Sequence, residues 1–198
     1  MTPARRTESS DMGVKITKDN VALLMKAIKT LTASEVLVGV PERKTEREDE
    51  DGKAAEITNA ALAYIHEFGA PEKNIPPRPF LAPGVESIKD QIAERLGKAA
   101  GLVLDGQFGE AKRGLQDVGR MAEDAVKRKI TDGPFVPIKE STKRARLERR
   151  QAYKNASEKR KRKMMAAYLA GDFSPLIDTG ALRASITHVI RKKGARDR

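Results

Sequence analysis

Val85-Glu-Ser-Ile-Lys-Asp-Gln-Ile-Ala-Glu-Arg-Leu-Gly-Lys-Ala-Ala-Gly-Leu-Val103 spaces its apolar residues three or four apart. Val85, Ile88, Ile92, Leu96, Ala99 and Val103 therefore share one face of a helix. Gly106 and Gly109 interrupt the pattern, which resumes at Leu115, Val118, Ala122, Ala125 and Ile130 and stops at Asp132-Gly133-Pro134. The spacing predicts two long helices, or one bent helix. Gly114 and Gly119 weaken the second segment by about 1 kcal/mol each relative to Ala.

On the N-terminal side, Ser34-Glu-Val-Leu-Val-Gly-Val40 is β-branched and stopped by Pro41, the strongest strand signal in the chain. Gly13–Thr17 alternates as a short edge strand. Asp19 or Asn20 can cap a helix with Val21, Leu24, Ile28 and Leu31 on one face. Glu42–Lys53 reads as a charged loop. Ile57, Ala61, Tyr64, Ile65 and Phe68 mark the apolar side of a short helix closed by Gly69. Five prolines then fall within the fourteen residues from Ala70 to Pro83, a density that predicts an extended loop. Ile75, Phe80 and Leu81 should pin that loop to the core.

On the C-terminal side, the residues from Lys139 to Lys163 are helix-prone, ending at Gly171–Pro175, and Ile186–Ile190 alternates as a final strand. Two or three strands and about four helices that do not alternate as βαβ units give an α+β layer fold. The expected architecture is a small antiparallel or mixed sheet packed against two or more long helices, with a basic helical arm. Residues 1–12 form a flexible N-terminus, and 13–198 one α+β domain, its basic extension 134–174 inserted before the C-terminal strand.

The 198 residues are 39% hydrophobic and 34% charged, with five Phe, three Tyr and no Trp, so the core must be built from aliphatic side chains. No Cys is present, which excludes disulfides, thiolate metal sites and a cysteine nucleophile. No apolar run approaches the length of a membrane span or a signal peptide, so neither a membrane nor a secretory reading is expected.

The net charge is +11, unevenly placed: Lys139–Lys163 holds twelve basic residues and three Glu, and the last eight residues add five basic residues against Asp197. The rest of the chain is slightly acidic, with a dense patch at Glu46-Arg47-Glu48-Asp49-Glu50-Asp51. Such asymmetry points to a polyanionic partner, nucleic acid or an acidic protein surface, or else to a solvated helix face. Only Tyr153 offers an aromatic ring inside the basic stretch, which disfavours single-strand binding by base stacking.

Catalytic patterns are nearly absent. Leu176-Ile-Asp-Thr-Gly-Ala181 resembles the way retroviral-type aspartic proteases present a catalytic carboxylate, and a homodimer would bring two such Asp178 groups together. Only 18 residues follow Gly180, too few for the flap and remaining strands of that fold. The alternative is that Asp178 caps a short helical turn from Thr179 to Arg183, with Gly180 allowing close backbone approach. His66 and His188 are the only imidazoles, and His66-Glu67 lacks the second His of a helical zinc motif. No phosphate-binding loop and no nucleophile elbow occur. Pro76-Pro-Arg-Pro79 matches a proline-rich peptide ligand but, between Ile75 and Phe80, reads as a rigid piece of the protein's own fold. No cofactor and no catalysis are expected.

Three segments in order carry a resemblance: Ala63-Tyr-Ile-His-Glu-Phe-Gly69, Ile75-Pro-Pro-Arg-Pro-Phe-Leu81 and Pro175-Leu-Ile-Asp-Thr-Gly-Ala-Leu-Arg-Ala-Ser-Ile186. Together they resemble the tail-completion (neck, or head–tail joining) proteins of long-tailed bacteriophages and the related phage virion morphogenesis proteins. The resemblance covers roughly residues 15–133 and 175–192. It makes His66, Phe68, Gly69, Pro77, Pro79, Phe80, Asp178 and Gly180 motif residues. It implies a non-enzymatic virion component at the head–tail junction, assembled in the host cytoplasm as a homo-oligomeric ring contacting neighbouring neck and tail proteins.

The basic arm is outside what the resemblance requires. Arg149, Arg150, Lys159, Arg160, Lys161 and Arg162 are its expected contacts with a partner, with Glu48, Asp49 and Glu50 as the complementary patch between ring neighbours. The arm would otherwise line a channel for DNA or grip an adjoining ring. Arg78, held between two prolines, is expected either to touch a partner or to form a salt bridge with Glu67. Ile65, Phe68, Phe80 and Leu81 are assigned to packing.

Overall fold

A computed structural model describes residues 22, 25, 29, 32–41, 57–171 and 174–194. The edge strand expected at 13–17, the acidic patch 46–51 with Glu48, Asp49 and Glu50, and the N-terminal residues 1–12 lie outside them. Ala22, Met25, Lys29 and Thr32 are helical and exposed, whereas the expected apolar positions Val21, Leu24, Ile28 and Leu31 lie outside the described residues.

The chain is α+β. Two strands, β1 (Ser34–Gly39) and β2 (Thr187–Lys192), pair antiparallel with Val36 opposite Ile190 and Val38 opposite His188. Among the described residues these are the sheet. Among the described residues, eight helices after residue 58 accompany it: α1 (Asn59–Phe68), α2 (Leu81–Glu86), α3 (Lys89–Leu104), α4 (Phe108–Asp132), α5 (Glu140–Arg149), α6 (Gln151–Lys154), α7 (Glu158–Ala170) and α8 (Ala181–Ser185).

The axis of the fold is α4, whose 25 residues give it a length of about 37 Å. It lies against α3, against α2 and against both strands. Its buried positions Val118, Ala122, Ala125, Val126 and Ile130 follow the helical period read from the sequence. Gly106, at φ +78°, makes the tight link back from α3. The two glycines inside or beside α4's contacts earn their place by proximity. A Cβ on Gly119 would fall inside the His188 ring, and one on Gly84 would meet the Val126 backbone at 2.8 Å. The helix propensity given up at Gly119 is therefore exchanged for contact between α4 and the sheet.

The main core gathers Phe80, Val126, Ile130, Leu176, Leu182 and Ile186, with Val38, Leu62 and Phe135 packed around it. A second cluster of Ile88, Ala122 and Ala125 continues it towards α3.

Three local expectations are corrected. The proline-rich stretch is not wholly extended: Pro71–Lys73 forms a 3-10 turn and α2 begins at Leu81 with Pro83 inside it. Pro83 is tolerated because it occupies the first turn, where backbone N–H groups have no intrahelical acceptor. Between them, Pro76–Phe80 is extended and alternates, with Pro77 and Pro79 exposed and Arg78 and Phe80 buried. Of the stripe expected to bury α1, Ile65 is partly buried but the other four residues face outward. Ile57, Ala61, Tyr64 and Phe68 are exposed, Phe68 at 64%, whereas Asn59 is buried and Leu62, Ala63 and His66 are partly buried on the inner side. Phe68 is thus not a packing residue. Finally, Asp178 does not cap α8: Thr179 Oγ1 accepts from Ala181 N at 3.3 Å. Gly180 meets no close neighbour and is needed for its φ of +82°.

Candidate functional site

The three familiar segments form one knot. The Arg78 N–H donates to the His66 carbonyl at 2.7 Å, which ties the proline-rich segment to α1. Glu67 reaches across to α2, its Oε2 accepting from Phe80 and Leu81 N–H at 2.8 and 2.9 Å and its Oε1 from Ala82 N–H at 3.1 Å. One carboxylate thereby supplies the acceptors that a local N-cap side chain would otherwise provide. Gly69 turns the chain between the two segments at φ +80° and ψ 176°, with Ile75 O and Pro77 N only 3.0 Å from where a Cβ would sit. The third segment joins through Leu176, Leu182 and Ile186, which pack on Phe80.

Arg78 is neither an exposed contact nor a partner of Glu67. It is 7% exposed, and its guanidinium donates to the carbonyls of Val136 at 2.8 Å and Pro137 at 3.3 Å. Those two residues start the basic arm. Arg146, which the sequence did not single out, does the same at the other end, donating to Pro175 O at 2.8 Å and Ile177 O at 3.2 Å. Both guanidiniums act on His66. Burial first, then the charges of Arg78 and Arg146, push the imidazole down to about 4. Its buried Nδ1 has no hydrogen-bond partner among the described residues. His66 is therefore a neutral wedge at physiological pH.

Asp178 is held by the arm. Its Oδ2 lies 2.8 Å from the Arg149 Nη2 and 3.7 Å from the Arg146 Nε. The carboxylate that resembled a protease aspartate is engaged in an ionic clamp within its own chain.

A third polar cluster joins α4 to β2. His188 Nδ1 lies 2.7 Å from Glu123 Oε2, and Lys127 Nζ lies 2.5 Å from Oε1 of the same carboxylate. Burial alone would raise Glu123; the hydrogen bonds from Lys127 and His188 outweigh it and hold the carboxyl below its ordinary value. An ionised carboxylate can only accept, so the His188 proton sits on Nδ1. Glu35 and Arg191, directly opposite across the sheet, form an ion pair at 2.7 Å.

The cations of the arm divide into two groups. Lys143 Nζ donates to the Gly171 carbonyl at 3.1 Å, Arg144 pairs with Glu140, Arg150 lies 5.0 Å from the Tyr168 ring centroid, and Lys161 pairs with Glu158 at 3.0 Å. Lys143 and Arg150 tie the two sides of the hairpin together and Arg146 and Arg149 anchor it to residues 175–178, whereas the Arg144 and Lys161 pairs each lie within a single helix. Lys159, Arg160 and Arg162, and with them Lys163, are exposed and form no ion pair with any described residue. Of the six arm residues expected to contact a partner, Arg149, Arg150 and Lys161 thus have internal partners.

An apolar groove of about 580 Å³ runs between β1, α3 and α4, lined by Val36, Val38, Val85, Ile92, Leu96 and Val118 among others. Among the described residues its polar lining is Ser34 and Glu35. No group of three or more His, Asp or Glu residues is placed to hold a metal among the described residues. None of their helices is long and apolar enough to cross a membrane.

A scan against protein-family models finds no match, and searches of curated proteins and of solved structures find none either.

Proposed function

We propose that this chain is a structural virion protein of a tailed bacteriophage, acting without catalysis at the head–tail junction as a subunit of a homo-oligomeric ring. The observation that carries this reading is the convergence of the three familiar segments. Residues 175–186 lie far downstream of 63–69 and 75–81 yet pack on Phe80, while the two neighbouring segments interlock through His66, Glu67 and Arg78. Motifs that recur by chance have no reason to share one core.

A ring subunit needs a face for its neighbour. α1 and the residue leading into it offer one, where Ile57, Tyr64 and Phe68 are exposed and the two rings lie 4.8 Å apart between centroids with a 48° tilt. Large aromatic surface left in water is the usual currency of protein–protein contact. The partners under this reading are further copies of the chain and the adjoining neck and tail proteins.

The test is deletion of the gene from the phage that carries it, followed by electron microscopy of the lysate. Filled heads lying beside detached tails are expected. Intact, infectious particles would overturn the proposal.

A further inference from the structure

Four free cations of the arm, Lys159, Arg160, Arg162 and Lys163, occupy one side of one helix. In α7, Lys161, Met164, Met165, Tyr168 and Leu169 are partly buried, whereas Lys159, Arg160, Arg162 and Lys163 are exposed, followed on the same side by Ala166, Ala167 and Ala170. At about 100° per residue the two sets fall on opposite faces without overlap. The outer face therefore begins as a block of four charges and continues as a smooth strip of alanine.

The position of these charges is unfavourable for the helix that bears them. They lie in its first half, where the macrodipole is positive. Lys159 stands three and four residues before Arg162 and Lys163, the spacing at which like charges repel. Glu158 is the sole acid of the first turn, and Ser157 makes no side-chain cap. A sequence selected only for a stable hairpin would put acids here. The arrangement becomes favourable when a polyanion lies along it. Local rules broken without internal compensation mark functional surfaces.

The chemistry of the face narrows the polyanion. Stable protein partners usually seat aromatic or bulky apolar anchors in pockets, and this face has none, since the Met, Tyr and Leu side chains of α7 all point inward. Unstacked single strands require exposed rings, which are also lacking there. A regular double-stranded phosphate backbone needs only cations at close approach.

We propose that Lys159, Arg160, Arg162 and Lys163 of α7 form a docking face for the phosphate backbone of duplex DNA, bound without sequence preference. That the DNA is a phage genome rests on the neck reading above; the binding itself does not.

The experiment measures affinity of the full chain for a labelled random-sequence duplex as salt is varied, with circular dichroism as the check on folding. Four neutralised phosphates give a logarithmic salt slope of about 3 to 4, and on the order of 100-fold loss of affinity between about 50 and 200 mM salt. The combined Lys159→Gln, Arg160→Gln, Arg162→Gln, Lys163→Gln variant should keep its helicity and lose that slope. A charge-matched variant, Lys89→Gln, Lys98→Gln, Lys112→Gln, Arg113→Gln on α3 and α4, should keep it. Equal losses in both variants would reduce the effect to net charge and overturn the proposal. Absence of duplex binding, or capture of a peptide spanning Glu46–Asp51 in its place, would also overturn it. If DNA binding fails while gene deletion still separates heads from tails, this proposal falls and the neck reading stands. If DNA binds but deletion leaves intact particles, the reverse holds.

Discussion

Arg78 Nε lies 2.8 Å from the carbonyl oxygen of Val136, 58 residues further along the chain. With its Nη2 at 3.3 Å from Pro137 O, one guanidinium fixes the point where the arm leaves the domain. A planar fork can hold two carbonyls at once, and a lysine ammonium cannot match that geometry. Arg78→Lys should cost about 1–3 kcal/mol, since it leaves buried acceptors imperfectly paired. Amide exchange over residues 133–139 should accelerate while α4 stays protected; equal protection in the variant would contradict the assignment.

Glu67 offers a second handle on the knot. Glu67→Ala removes the acceptor of three backbone N–H groups at the start of α2 and should lower stability by about 1–3 kcal/mol in chemical denaturation. Glu67→Gln keeps one oxygen and should fall between the two.

The His66 imidazole gives the knot a pH dependence. Below its ordinary value of 6.5 the unfolded chain takes up a proton that the folded chain refuses until about 4. The unfolded state then binds more protons, so stability is full above 6.5, falls as pH drops through that window and levels off near 4. The loss is on the order of 3 kcal/mol. His66→Leu should flatten the stability profile between those limits; an unchanged slope would assign the pH dependence to other groups.

Gly119→Ala sets helix propensity against packing. An exposed helical site would gain about 1 kcal/mol. Here the new methyl strikes the His188 ring, which Glu123 holds in place. Overpacking of this kind costs about 1–3 kcal/mol, so net destabilisation is expected, and His188→Ala should relieve it in a double-mutant cycle.

Replacing Tyr64 and Phe68 together by Ser addresses the ring contact. Both are exposed, so monomer stability should change by no more than about 0.5 kcal/mol per site. Sedimentation should show self-association lost. Association equal to that of the unaltered chain would place the neighbour contact elsewhere.

The long-range plan was legible where apolar spacing was strong and unambiguous. α3 and α4, β1 and β2, the Gly69 cap and the burial of Phe80 all followed from period, glycine and β-branching. α1 is apolar on both sides, with Leu62, Ala63 and Ile65 turned to the core and Ala61, Tyr64 and Phe68 exposed, so its spacing does not single out the inner face. Periodicity cannot tell a core face from a face left for another molecule. Arg78 was misplaced for a related reason, since its acceptors are backbone carbonyls and carry no signature in the residue names Val136 and Pro137. The division of the arm into bonded and free cations was equally hidden. It depends on which side of α7 meets α5, which only the packing of Met164, Met165 and Tyr168 decides.

The two ends of the arm are held close together. Ser174 Oγ donates to the Ile130 carbonyl at 2.9 Å, and Lys143 reaches Gly171 from the first helix of the hairpin. A chain segment whose feet are stapled side by side can change length at little thermodynamic cost, since lengthening a closed loop adds only slowly to its closure entropy. The outer part of the hairpin, from Arg150 to Ala170, is thus a replaceable cassette. It can be shortened, extended or exchanged while the core around Phe80 keeps its packing, leaving the reach of the arm free to vary independently of the body that carries it.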